Sequence, residues 1–442
     1  MKKVLLIICF VAFNIAGHTQ NSLIFNWRGY NGDLINRNDS VWAVVTTWRD
    51  GAIGAYSIVL DDFGVISFNK SVKPAWDLSK EAGFEKIKLS WGIVTKQMND
   101  ENWNNAVIMV SQGHEMVNHA MTHTDATLWN EKDLKYNIND ANDLINKRVY
   151  EIIHSSGEYF AKGKRCEFFV YPYDSFNKST HEYLNKSGFV GARGGERAIV
   201  MKANFPDPFR INFDAHYISN RDWTPDSKSK RWPNMHIGLN EAIDKIIEAK
   251  GYMIRELHSV PDIPDNAWFD EDNNYENWPI NNANKGMGGT WGGLTKNQLR
   301  VHFEYLKKKI ESKELAIYTL SEAVKYSFTV RAFENEAVLT ASGQNWIIKL
   351  NKKPDVCVED KYKEEISVIV DLGVAVEQLS VAYDRNHLNT NEDNSPRIKP
   401  RRMDDSGRIW SISINPFKSA DHTALLIRDG KWFGQDIKIN NL

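Results

Sequence analysis

Up to about Tyr326, apolar and polar positions along this chain follow one rhythm: short apolar runs of strand length alternate with longer stretches whose apolar residues recur every three or four positions. AYSIVL reads as a buried strand. DLSKEAGFEKIKLSWGIV and NNAVIMVSQGHEMVNH each pass from a helical stretch into an apolar run. DLKYNINDANDLINKRVYEII predicts a long amphipathic helix with Leu134, Ile138, Leu144, Ile145, Val149 and Ile152 along its apolar face. CEFFVYPY is the next strand. STHEYLNKSGFVGARGG, LNEAIDKIIEAKGYMIRELH and TKNQLRVHFEYLKKKIESKELAIYTLSEAVKYS then repeat the helix-to-strand unit. Such regular alternation implies parallel β/α units, arranged either as an open sheet or as a closed barrel.

From about Val330 the pattern changes. AVLTA, WIIKL, ISVIVDLG, VEQLSVAY, IWSISIN and HTALLIRD are short alternating or apolar runs separated by Asn, Gly, Asp and Pro, with no amphipathic helix among them. They predict an all-β, sandwich-like module over residues 330–442 that buttresses the rest or binds glycan. The expected organisation is therefore a lead-in over 21–44, an α/β unit over 45–329 and the β module. Pro261 to Gly293, rich in Asn, Asp, Gly and Trp, reads as a long loop placed to contact substrate.

The first twenty residues stand outside this scheme. MKKVLLIICFVAFNIAGHTQ has two lysines, an apolar stretch and then small and polar residues, the layout of a cleaved signal peptide. The stretch is short for a membrane span, which takes about 20 apolar residues, and no later segment is long enough, so a secreted or periplasmic protein is expected. A net charge of −2 argues against nucleic acid as a partner. Cys166 and Cys357 are too few for a disulfide scaffold and are expected to be free, buried thiols. Fifteen tryptophans in an exported chain raise the expectation of a carbohydrate ligand, because indole faces stack on sugar rings.

The residues able to do chemistry cluster just past the apolar runs, where α/β folds place their sites. Asp61 and Asp62 follow SIVL, the histidine-rich GHEMVNHAMTHTD follows AVIMV, Tyr171 and Tyr173 follow EFFV, and His258 follows YMIREL. His119 and His123 are spaced i, i+4, which on a helical turn puts both imidazoles on one face. With one carboxylate of the Asp pair they would make a two-histidine, one-aspartate metal site, leaving the other carboxylate as a base. His114 is expected to support the loop, and His154 and His181 to be surface or packing residues.

In order and spacing, SIVLDDFG, GHEMVNHAMTHTD, the tyrosine and proline of VYPYD, RDW and ELH resemble the successive motifs of the polysaccharide deacetylases, the nodulation-protein-B homology domain. The resemblance covers roughly Val45 to Tyr326 and leaves out the β module. It implies a deformed (β/α) barrel holding one divalent metal ion, usually zinc, through Asp62, His119 and His123. It further implies Asp61 as general base, His258 as general acid oriented by Asp222, an oxyanion contact near Tyr173 and Trp223 as a wall of the site. The implied reaction is hydrolysis of N- or O-linked acetyl groups on a glycan. A non-catalytic glycan-binding protein on the same barrel is the alternative. One motif departs from the family pattern. The arginine that usually precedes the third-motif proline and pairs with the base is replaced by Phe169 and Val170, and Arg193 or Arg197 in GARGGER could reach the same carboxylate instead.

Overall fold

The computed structural model describes residues 41–155, 164–197, 205–215, 235–262, 294–342, 345–383, 400–403 and 405–428. The signal-peptide segment, Asp222, Trp223 and residues 263–293 of the expected substrate loop lie outside the described residues. No helix among the described residues is long and apolar enough to cross a membrane. The chain divides into two compact units, one built on residues 53–328 with 359–363, the other on the segments that flank them in sequence.

Strand β1 (Trp42–Val45) is the first described element, and it belongs to the flanking unit. The α/β unit begins with β2 (Gly54–Phe63), followed by β3 (Ser90–Ile93), β4 (Glu115–Asn118), β5 (Phe168–Val170), β6 (Gly191–Arg197), β7 (Ile211–Ala215), β8 (Tyr252–Leu257) and β9 (Leu315–Ile317). All of their pairings are parallel. Because β2 pairs with both β8 and β3, the strands β2 to β8 close into a ring of seven, while β9 runs beside only the first residues of β2, Gly54–Tyr56. The unit is thus a deformed (β/α) barrel. Nine of the ten residues of β2 are buried, as expected of a parallel strand covered on both faces.

Helices fill most of the crossovers among the described residues, and local sequence sets where they start. Asn99 accepts from the backbone N–H of Asn102 at the start of Asp100–Ser111, with Asp100 and Glu101 in its first turn. Thr295 and Gln298 form a reciprocal capping box at the start of Lys296–Glu311. The helical stretch 131–155 matches the long amphipathic element of the sequence, with two π-helical turns inside it. Its apolar seam runs Leu134, Ile138, Ala141, Ile145, Val149, Ile153, a wider step than 3.6 residues. That drift replaces the expected Ile152, which is exposed, with Ile153. A second difference lies just upstream. AVIMV belongs to the helix Asp100–Ser111, and the strand that leads to the histidines is EMVN.

The flanking unit is all-β, as expected. Its remaining strands are β10 (Phe333–Ser342), β11 (Asn345–Lys352), β12 (Ile366–Asp371), β13 (Leu379–Ala382), β14 (Arg401–Arg402), β15 (Ile409–Ile414) and β16 (Thr423–Arg428). Together with β1 they form one antiparallel sheet in the order β13-β16-β11-β10-β1-β12-β15-β14. The end of the expected lead-in therefore supplies a central strand of the β unit. VWAVV is as apolar as a barrel strand, and only its pairing with β10 and β12 decides its sheet. Cys166 and Cys357 are free, Cys166 buried as expected and Cys357 exposed instead.

Candidate active site

The barrel strands deliver polar side chains to their carboxyl ends. Asp61 and Asp62 occupy the last turn of β2, and Asp62 takes a left-handed backbone with φ of 63°. An L-residue adopts that conformation at a cost of about 1 kcal/mol or more. The consequence is that two consecutive carboxylates serve two different places.

His119 and His123 do not lie on a helical turn. They follow β4 in a loop whose backbone is left-handed at Ala120 (φ 69°) and His123 (φ 53°). Side-chain amides hold this loop. Asn118 Oδ1 accepts from Ala120 N–H while its Nδ2 donates to Ile138 O, and Asn137 Oδ1 accepts from both N–H and hydroxyl of Thr122. The two imidazole centroids end 4.7 Å apart. Their Nε2 atoms face the same oxygen, Asp62 Oδ1, at 3.6 Å from His119 and 3.1 Å from His123.

This cluster fits a divalent cation. His119 Nδ1 lies 2.9 Å from Val170 O, so Nδ1 carries the hydrogen and Nε2 turns a lone pair toward the carboxylate. Burial holds His119 well below the ordinary histidine range, to about 4, against the pull of the Asp61 and Asp62 carboxylates. Asp62 Oδ1 is buried and has no hydrogen-bond partner. His119 Nε2 and Asp62 Oδ1 thus meet as two acceptors, an arrangement that a positive charge between them stabilises. One carboxylate oxygen and two imidazole nitrogens are the donor set of an open zinc-type site.

Asp61 has a different environment. Its Oδ2 accepts from Arg193 Nη1 at 2.8 Å, and both side chains are 1 % exposed. Burial by itself would raise the Asp61 carboxyl, but the Arg193 guanidinium together with His119 and His258 outweighs it and the net shift is downward. Asp61 Oδ1 is buried without a hydrogen-bond partner, on the side where Gly92 of β3 makes room. A Cβ on Gly92 would stand 2.9 Å from that oxygen and 3.4 Å from His119 Cβ.

Arg193 also donates through Nη2 to Asp174 Oδ1 at 2.5 Å, and its Nη1 lies 3.4 Å from Glu256 Oε2. Its guanidinium sits 4.5 Å from the Phe213 ring centroid, in cation–π contact. Of the two arginines expected to reach Asp61, Arg193 does so, and the side chain of Arg197 lies outside the described residues. His258 stands 3.8 Å from Asp62 Oδ2 through Nε2 and 3.6 Å from Glu256 Oε1 through Nδ1. Burial pushes its imidazole down, yet Glu256, Asp62 and Asp61 together raise it above the ordinary value.

Tyr173 sits in the tight turn Pro172–Asp174 with φ of 58°, its ring 64 % exposed and 4.8 Å from that of His123. The remaining motif histidine and its neighbour lie at the far end of β4, roughly 13 Å away at strand rise. There His114 Nδ1 accepts from Leu89 N–H and its Nε2 faces Ser79 Oγ, while burial lowers its pKa to about 3. Glu115 accepts from the backbone N–H groups of Leu320 and Ser321 and from the Ser90 hydroxyl, capping the helix Leu320–Arg331. His181 pairs with Asp207 away from the site and His154 is exposed.

Gly92, Asp174 and Glu256 were not anticipated. A glycine inside SWGI signals close approach of another group. Glu256 shares the inward face of β8 with His258 by strand alternation. Asp174 gives no signal until its turn folds back on Arg193.

Residues 84–192 match the sequence model of the polysaccharide deacetylase family. That segment is of the polysaccharide deacetylase family. Solved structures similar to this chain include a family 4 acetyl xylan esterase from Clostridium thermocellum in complex with a cobalt ion, at 15 % identity over 61 % of this chain and 89 % of that one, TM-score 0.33. A second is the Xyl-CE4 domain of a multidomain xylanase from the hindgut metagenome of Trinervitermes trinervoides, at 12 % identity with the same coverages and a TM-score of 0.33. A third is a CE4 family pseudoenzyme from Bacillus anthracis, at 10 % identity over 61 % of this chain and 65 % of that one, TM-score 0.35. No curated protein matches the chain. The match begins after Asp61 and Asp62, takes in His114, His119, His123 and the whole of β5, and stops near the start of β6, one residue short of Arg193.

Proposed function

We propose that the barrel is a metal-dependent hydrolase that removes acetyl groups from an exported or extracellular glycan. The observation that carries this reading is the division of labour between the two adjacent carboxylates, Asp62 facing His119 and His123, and Asp61 held by Arg193. Asp62, His119 and His123 would hold one divalent ion, zinc being the best match to two nitrogens and one oxygen. Such an ion supplies Lewis acidity, polarising an acyl carbonyl and lowering the pKa of water by several units.

The chain's own residues supply the proton traffic. Asp61 Oδ1, unpartnered while Oδ2 is fixed by Arg193, is placed to take a proton from the attacking water. Arg193 keeps that carboxylate ionised and aimed. On the other side of Asp62, Glu256, Asp62 and Asp61 strengthen the hold of His258 on a proton against the effect of burial, and it can give that proton to the departing amine or alkoxide. A backbone N–H of the turn at Tyr173, whose ring stands beside that of His123, would stabilise negative charge on the acyl oxygen.

Amide and ester acetyl groups both suit this arrangement, since the polarised group is a carbonyl in either case. Purified protein should contain about one equivalent of zinc and release acetate from at least one member of a panel of acetylated chitin, peptidoglycan and xylan fragments. Bound zinc without acetate from any of them would instead favour a glycan-binding role. Export is part of the same proposal, and an exported product lacking the first twenty residues on N-terminal sequencing supports it.

A further inference from the structure

Beside the metal cluster, a second group of polar atoms closes on itself. Asp61, Glu256 and His258 each offer a ligating atom within 4.8 Å of the others, just as Asp62, His119 and His123 do. A second cation does not belong there. Arg193 Nη1 lies 2.8 Å from Asp61 Oδ2 and 3.4 Å from Glu256 Oε2, so a fixed positive charge already stands between the two carboxylates.

Glu256 is 5 % exposed on β8, which ends one residue before His258. Strand alternation puts residues 256 and 258 on one face. The register of β8 against β2, Val59 opposite Glu256 and Leu60 opposite Leu257, carries His258 to the level of Asp61. With Oε2 turned to Arg193, the other carboxylate oxygen, Oε1, faces His258 Nδ1 at 3.6 Å. Neither His258 Nδ1 nor Glu256 Oε2 has a hydrogen bond, and both are buried. A movement of about 0.6 Å brings Nδ1 to hydrogen-bonding distance of Oε1.

We propose that Glu256 is the positioning residue of His258. Its carboxylate, braced by Arg193, accepts from Nδ1–H, fixes the imidazole tautomer and ring plane, and leaves Nε2 directed at the reacting centre. Through the shared guanidinium the orientation of the acid is tied to that of the base, along Asp61–Arg193–Glu256–His258. The inference deepens the hydrolase reading, because it takes His258 as the acid, and it assigns to Glu256 the part that the family resemblance gives to Asp222.

The test is nitrogen-15 NMR of histidine-labelled, zinc-loaded protein, which reads tautomer and hydrogen bonding without turnover. Wild type should show His258 Nδ1 as a protonated nitrogen with a strongly downfield N–H. In Glu256→Gln that downfield shift should shrink, and in Glu256→Ala the Nδ1 and Nε2 resonances should average toward one another. His119 and His123 should keep their zinc-bound shifts in both variants, which reports an intact site. Should Glu256→Ala not fold, the isosteric Gln variant decides by itself. Where acetate release is measurable, Glu256→Gln should lower kcat about tenfold while KM moves less than about twofold. Unchanged His258 resonances in Glu256→Gln, or the loss appearing in Asp222→Asn instead, overturns the proposal. Absence of acetate release from wild type would count against the hydrolase reading alone, since the NMR result stands without it.

Discussion

Arg193 Nη1 and Asp61 Oδ2 are 2.8 Å apart across the barrel, from β6 to β2, and each side chain is 1 % exposed. A buried pair of this kind is costly to break from one side. Arg193→Ala should destabilise the protein by about 3–5 kcal/mol, because it leaves the Asp61 carboxylate in the interior without its guanidinium partner. Arg193→Lys keeps the charge but cannot bridge both carboxylates at once. It should fold, bind zinc and lose turnover by roughly a hundredfold, an expectation checked by acetate release alongside zinc stoichiometry. Wild-type rates in the Lys variant would show that the fork geometry does not matter.

Metal binding should be visible in stability before any substrate is known. A ligand that binds only the folded state at a hundred times its Kd adds about 2.7 kcal/mol. Zinc should therefore raise the Tm of wild type, and a chelator should reverse the effect. In Asp62→Ala, His119→Ala or His123→Ala the zinc-dependent shift should vanish. Persistence of the full shift in all three, measured by scanning fluorimetry, would remove this cluster as the site.

His114 predicts a pH dependence. Its folded pKa is lowered to about 3 by burial, so the unfolded state binds the extra proton between about 6.5 and 3. The histidine's contribution to stability is whole above about 6.5 and is lost as the pH falls, at up to about 1.4 kcal/mol per unit. His114→Asn retains an acceptor for Leu89 N–H without the titration. Its Tm should be lower at pH 7 but should fall less steeply toward pH 4 than that of wild type. Parallel curves for the two proteins would contradict the assignment.

Gly92 predicts a steric effect at the site rather than a backbone one. The Cβ of Gly92→Ala would meet Asp61 Oδ1 at 2.9 Å and His119 Cβ at 3.4 Å. Displacing either by a few tenths of an ångström disturbs base and metal together. Turnover should drop at least tenfold, while overpacking costs about 1–3 kcal/mol of stability. A variant with native rate and Tm would show that the pocket relaxes freely.

Much of this protein was legible along the chain. Apolar runs at strand length, interleaved with amphipathic stretches, defined the β/α units, because burial on both faces of a parallel sheet requires nearly unbroken hydrophobic segments. Residues following those runs marked the site end of the barrel, and the Asp61–Asp62 pair and the two histidines stood out by chemistry. Other features were invisible there. VWAVV could not disclose its sheet, since pairing with β10 and β12 joins segments some three hundred residues apart. The histidine spacing suggested a helical turn, whereas left-handed residues and asparagine side chains hold a loop.

Sequence by itself determined which residues could bind a cation and move protons, because ligand and acid–base chemistry belong to side-chain types. Tertiary structure decided which of them share a space. Strand register and barrel closure put Arg193 on Asp61, left Arg193 one face to lend to Glu256, and set Glu256 beneath His258. Those contacts join β2, β6 and β8, and their distances follow from how the ring closes, which local patterns do not record.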